Sequence, residues 1–244
     1  MAISVLLKKE FSCFFASATG YIVIGVFLLM TGLFLWVFPG EYNVLDSGYA
    51  NIDGLFVMAP WLYLFLVPAV TMRLFSDEKR TGTIELLMTH PVSKIEIVLS
   101  KYFAGVLLVL FSLVPTLVYF FSVWAMADPI GNIDTGGIWG SFIGLFFLAT
   151  IYVAIGLFTS SLTDNQIVAF ICAALLSFAF FYGFDLISSL LISGEEQTLV
   201  SSLGISSHYD GMSRGVIDSR DLLYFILVDA AFVYLTKLIL SKKK

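Results

Sequence analysis

The sequence predicts an all-α polytopic membrane protein: six transmembrane helices, an N-terminal amphipathic helix, and one short helix in a polar connection. Three observations predict it. The 244 residues are 59% hydrophobic and only 13% charged, with a mean hydropathy of +0.96, whereas a soluble domain carries roughly 25% charged residues. Apolar runs of about 20 residues, each long enough to cross a hydrocarbon core, recur along the chain. When these runs are threaded through a bilayer in alternation, the basic residues collect on one side. The formal net charge of −5 says little by itself because the charges are sorted by location. No basic patch of the kind nucleic-acid binding needs is present. Cys13 and Cys172 lie far apart in apolar contexts, which predicts neither a disulfide nor a metal site.

Residues 3–15 come first. At 100° per residue, Ile3, Leu6, Leu7, Phe11 and Phe14 share one face, and Lys8, Lys9 and Ser12 the other. That pattern predicts an interfacial helix along the cytoplasmic leaflet. Glu10 falls inside the apolar face, either as a snorkelling or locally paired carboxylate or as a contact to the base of the span helices. The apolar run that follows is longer than a signal-peptide core and lacks an Ala-x-Ala-like site, so it reads as an uncleaved first span.

The spans are expected at about 17–38, 55–72, 97–124, 138–162, 166–191 and 221–240, as one permease domain over 1–244. Pro60 and Pro68 are expected to kink the second and Pro115 to break the third. The first outer loop carries Glu41, Asp46 and Asp53, and the second Asp134, with no Lys or Arg in either. Trp36, Trp61, Trp124 and Trp139 fall near outer span ends, as an interfacial belt does. Residues 192–220 are too short for a domain; Gln197–Leu203 is expected as a turn of helix ended by Gly204.

Orientation follows from charge. With the N-terminus inside, Lys8, Lys9, Arg73, Lys79, Arg80, Lys94, Lys101, Lys237, Lys242, Lys243 and Lys244 are all cytoplasmic, leaving only Arg214 and Arg220 outside. The opposite orientation would translocate nearly every positive charge. Asp185 and Asp229 lie within spans five and six. They either face water or pair inside the bundle, or they mark a substrate or proton pathway.

The long polar interruption runs from Arg73 to Lys101. Residues 73–80 continue the second span out of the bilayer and end in a charged turn, which Gly82 breaks. Thr81 or Thr83 is placed to cap a short following helix, in which Ile84, Leu87 and Met88 share a face. Pro91 stops it, and Ser93-Lys94-Ile95-Glu96 is a capping box at the head of the third span. Such a helix either rests on lipid headgroups or presses on another protein.

Two common motifs of catalysis are absent: there is no G-x-x-x-x-G-K-[ST] P-loop and no H-E-x-x-H. His90 and His208 fall on opposite sides of the membrane, which excludes a site built from both.

The run Glu78-Lys79-Arg80-x-Gly82-Thr83-x-Glu85-x-Leu87, followed by Pro91-Val92-Ser93 and Lys101, resembles the signature of ABC-2 type transporter permeases, a type V exporter-like fold. In that family the segment forms a coupling helix seated in a groove of the ATPase subunit. The resemblance implies ATPase-coupling roles in 76–93 for Glu78, Arg80, Gly82, Thr83, Ile84, Glu85, Leu87, Met88 and Pro91. The helix bearing Lys8, Lys9 and Glu10 resembles the family's connecting helix. The run His208 to Asp218, with Arg214 and Gly215, resembles its motif in the last outer loop. No catalytic residue, cofactor or metal is implied for this chain; ATP and Mg would be bound by a separate cytoplasmic ABC ATPase. The other partners implied are the lipid bilayer and either a second permease copy or a membrane protein with a large periplasmic domain. The location implied is a bacterial inner membrane with both termini cytoplasmic. Within the family the chain most resembles permeases associated with gliding motility, and it is similar to the one that serves nitrous oxide reductase maturation. A non-transporting mechanical transmitter and a secondary transporter driven through Asp185 and Asp229 are the other functions weighed.

Overall fold

The computed structural model describes residues 2–89, 91–191 and 194–242. Over these residues every regular element is helical, and six helical stretches are long and apolar enough to span a membrane. Helix α1 (Ala2–Ala16) precedes the first span, α2 (Ala18–Trp36). The second span is α3 (Asp53–Thr71) continued by α4 (Arg73–Arg80). The short α5 (Thr83–Thr89) leads to the third span, α6 (Lys94–Leu113) and α7 (Leu117–Met126), joined through a 3-10 turn at Pro115. The fourth span is α8 (Thr135–Leu162). The fifth is α9 (Gln166–Phe178), a π turn, and α10 (Phe184–Ser189). Two helices, α11 (Gly194–Ser201) and α12 (Ile205–Ser213), lie between the fifth span and the sixth, α13 (Ser219–Lys242).

The breaks have local causes. Pro115 has no amide hydrogen to continue the ladder, so α6 tightens into the 3-10 turn. Asn165 starts α9 by accepting from the Ile167 and Val168 amides, and Asp134 starts α8 by accepting from the Gly137 amide at 3.0 Å.

Helix α8 is the hub. Of its apolar window 78% is buried inside the chain, against 28% for α2 and 22% for the last two spans. It touches α3, α4, α6, α9, α12 and α13. Glycines let backbones approach it closely, as in membrane helix packing generally. A Cβ at Gly140 would come within 2.3 Å of the Met212 carbonyl, and one at Gly156 within 1.9 Å of Thr71 Oγ1. On the opposite flank Phe27 stacks on Tyr63 at 4.5 Å, and the Tyr63 hydroxyl shares a 2.7 Å hydrogen bond with Ser112. These contacts tie α2, α3 and α6 together.

Two expectations are revised. Helix α1 does more than lie on lipid: it packs on α6, with Phe14 buried and the Phe11 ring 5.5 Å from Phe111. The segment between the last two spans holds two helices, of which only the first, Gly194–Ser201 in place of 197–203, was expected. Helix α12 buries Ile205, Tyr209 and Met212, and the Tyr209 hydroxyl donates to the Phe56 carbonyl at 2.8 Å.

Candidate functional site where α1, α4 and α6 meet

The second span is interrupted at Met72, between α3 and α4, and a hydroxyl from α8 sits at this joint. Ser160 Oγ donates to the Met72 carbonyl at 2.8 Å and accepts from the amides of Phe75 at 3.0 Å and Ser76 at 3.1 Å. A polar side chain inserted into a helical ladder disrupts it locally. Downstream of the joint, α4 is tied to the turn between α8 and α9. Lys79 donates to the Ser161 carbonyl. Asp77 accepts from Gln166 at 2.9 Å and from Arg80 at 2.8 Å.

The centre of the site is Lys101 on α6. It is 1% exposed, and its ammonium lies 3.1 Å from Glu10 on α1 and 2.7 Å from Glu78 on α4. The ring of Phe75 covers it at 5.2 Å, a cation–π contact. Lys9 lies 3.6 Å from Glu10, whereas Lys8 is exposed. Glu10 is thus paired both locally, with Lys9, and at the base of the spans, with Lys101. Removing one partner of a buried ion pair costs about 3–5 kcal/mol, because the other charge stays buried without compensation. Three helices that are distant in sequence are therefore joined at one point.

Beyond the triad, Gly82 has φ +72°, the left-handed turn that ends α4. The threonines beside it cap α4 and not α5. Thr81 Oγ1 donates to the Asp77 carbonyl at 2.8 Å, and Thr83 Oγ1 to the Glu78 carbonyl at 3.4 Å. Ile84 and Leu87, expected to face a partner, are half-buried against the chain's own core. The outward face of α5 carries Glu85, Thr89 and Leu86, the last 67% exposed. The side chain of Met88 lies outside the described residues, as do His90, Lys243 and Lys244. Pro91 is exposed. The capping box is present: Glu96 accepts from the Ser93 amide at 2.9 Å, and the Glu96 amide donates to Ser93 Oγ at 3.4 Å. Lys94 reaches the last turn of α13, donating to the Leu240 carbonyl at 3.1 Å, where a cation suits the helix dipole. Both ends of α5 thus join helices locked into the bundle.

The residues of the motif before the sixth span sit elsewhere. His208 on α12 stacks on Tyr224 at 4.0 Å. Its Nδ1 lies 2.7 Å from Asp221 and its Nε2 2.9 Å from the Ser202 carbonyl. Gly215 has φ +81° and packs on Gly136 and Gly137 at the head of α8, while Arg214 is exposed. Near them a cavity of about 420 Å³ is lined by Asp53, Trp61, Tyr182, Asp185, Ser206 and Asp210. Ser206 donates to Asp185. Partial burial and the neighbouring Asp185 raise the Asp210 carboxyl above its ordinary range, and Arg214 opposes the shift. Asp229 does not line this cavity; it accepts from Thr150 at 2.8 Å and ties α13 to α8. Among the described residues no group of three or more His, Cys, Asp or Glu side chains is placed to hold a metal ion.

Sequence reasoning missed Leu86, Asp77, Gln166 and Ser160. Leu86 carried a signal, as an apolar residue opposite Ile84 on a seven-residue helix; the other three act through partners far along the chain. A family model described as ABC-2 family transporter protein matches residues 50–239. No curated protein matches the chain.

Proposed function

The chain belongs to the ABC-2 family of transporter proteins, and from that premise we propose that it is the permease subunit driven by a separate cytoplasmic ABC ATPase through α5. The observation that carries the reading is the buried triad of Lys101, Glu10 and Glu78. A push received on Glu85 and Leu86 passes along α4 into α1 and α6 together, because the triad does not yield without exposing a buried charge. The connection is short and locked at both ends, so the push is not lost in a loop.

The cavity in the bundle interior lined by Tyr63, Gly105, Ser112 and Val153 is about 10 Å³, roughly the space of a single water. We place the solute path between two permease chains. Either a second copy or a different membrane protein with a large outer domain completes the pair. Where no solute passes, the same linkage transmits force. We place the chain with the gliding-motility permeases of the family, and the permease of nitrous oxide reductase maturation is the alternative.

The test is reconstitution with a cytoplasmic ABC ATPase from the same organism. A cross-link from cysteine at Glu85 or Leu86 to that ATPase, together with permease-stimulated ATP turnover, is the expected result. Absence of both from a folded complex removes the coupling assignment.

A further inference from the structure

A cleft of about 280 Å³ opens between the end of α1, the start of α2 and the joint of α3 and α4. Its lining is partly apolar, with Phe14, Val70 and Leu74, and partly polar, with Ser17, Thr19 and Arg73. Its charges are almost all accounted for. At the inner end Lys9 and Lys101 face Glu10 and Glu78. Asp77, also in the lining, is held by Arg80 and Gln166.

Arg73 is the exception. Its Nη1 donates to Thr19 Oγ1 at 2.8 Å, and Thr19 shares a 2.6 Å hydrogen bond with Ser17. Among the described residues no carboxylate lies within 4.0 Å of its guanidinium. A hydroxyl orients a guanidinium without neutralising it, and four further N–H donors are left. Arg73 is exposed, and the other bond of the Ser17 hydroxyl, to the Phe14 carbonyl, is long at 3.3 Å. An oriented cation, a hydroxyl held by one short and one long hydrogen bond, and apolar side chains thus meet in one cleft. It lies at the joint between an amphipathic helix and a membrane span, the depth at which lipid phosphates sit. An ordinary snorkelling arginine has the charge but neither this orientation nor the cleft.

We propose that this cleft binds one membrane phospholipid, its phosphate on Arg73 and Ser17 and the start of its acyl chain along Phe14, Val70 and Leu74. Paired N–H donors suit a phosphate's oxygens, and the bound lipid would fill the space between α1 and α4 beside the triad.

Native mass spectrometry of the full chain, purified in detergent with added phosphatidylethanolamine or phosphatidylglycerol, tests this directly. It needs no ATPase, so its outcome is separate from that of the coupling reading. Wild type is expected to retain one phospholipid per chain, and Arg73→Gln to lose it by about tenfold or more, the scale of a lost charge-assisted hydrogen bond. Thr19→Val, which frees the guanidinium but keeps its charge, is expected to weaken retention less. It carries the test if Arg73→Gln does not insert. Lys237→Gln removes a positive charge on α13, outside the cleft, and is expected to retain lipid as wild type does. Equal retention by Arg73→Gln and wild type, or equal loss by Arg73→Gln and Lys237→Gln, overturns the site. If inorganic phosphate binds to the lipid-free chain as tightly as the phospholipid does, the site is a free-anion site and the lipid proposal fails.

Discussion

The Lys101 ammonium and the Glu78 carboxylate lie 2.7 Å apart, with the lysine 1% and the glutamate 17% exposed. One oxygen of that glutamate, Oε2, is buried without a hydrogen-bond partner. The pair therefore stands close to the limit at which burial of charge is tolerated, and Glu10 completes the compensation from the other side. Lys101→Met leaves two carboxylates facing each other in a desolvated place. It is expected to lower stability by about 3–5 kcal/mol, read by thermal unfolding in detergent. Adding Glu10→Gln and Glu78→Gln to Lys101→Met removes the stranded charges and is expected to recover much of the loss. A triple variant no more stable than the single one would contradict the electrostatic account.

Ser160→Ala tests the joint between α3 and α4. The hydroxyl serves two amides and one carbonyl of the second span, all at or below 3.1 Å. Alanine leaves the Phe75 and Ser76 amides buried and unserved, at a cost of about 1–3 kcal/mol for each group left unpaired. Because these bonds hold the start of α4 against α8, stimulated ATP turnover in a reconstituted complex is expected to fall along with thermal stability. Loss of stability with turnover intact would show that the joint is structural only.

The parts of this region that were legible in the sequence are the ones that repeat locally. The glycine turn at Gly82 and the capping box of Ser93 and Glu96 are patterns of three or four consecutive positions, and both are present. Span positions follow from hydropathy alone, because the cost of polar backbone in hydrocarbon leaves only helices. The triad was not legible, since nothing in a local pattern selects Lys101 as the partner of Glu10 and Glu78. The direction of α5 was not legible either: helical spacing shows that Ile84 and Leu87 share a face, but not which body that face meets. Helix α12 left a readable trace, with Ile205, Tyr209 and Met212 at helical spacing, obscured by the serines and charges around it.

Two substitutions probe the outward face of α5, and a third probes its aim. Leu86→Asp puts a charge where an exposed apolar side chain stands, and Glu85→Arg reverses one. Each is expected to weaken ATPase binding by about tenfold, or 1.4 kcal/mol, while the permease inserts normally. Gly82→Pro acts differently. Proline cannot adopt the φ of +72° found there, so α5 is re-aimed and turnover is expected to fall toward that of the ATPase alone. Binding and stimulated turnover, measured on the same preparations, separate a lost contact from a lost lever. Wild-type values for all three variants would sink the role given to α5.

Asp210, which lines one cavity with Asp185, is expected to make stability depend on pH. Its carboxyl titrates above the ordinary 3.8, first because of partial burial and then because of Asp185. Between the unfolded and the folded value the native chain binds more protons than the unfolded one, so stability falls as pH rises through that window and is level above it. The usual paired carboxylate gives the reverse slope. Because the side chain is partly open to water, screening keeps the effect small. Asp210→Asn is expected to flatten this part of the curve and to raise stability slightly at neutral pH; Asp185→Asn, which removes only the second cause, should do less. Thermal unfolding between pH 4 and pH 7, on an otherwise wild-type chain, measures both. A steeper slope in Asp210→Asn would mean that the carboxylate is stabilised where it lies, and that the cavity favours its charged form.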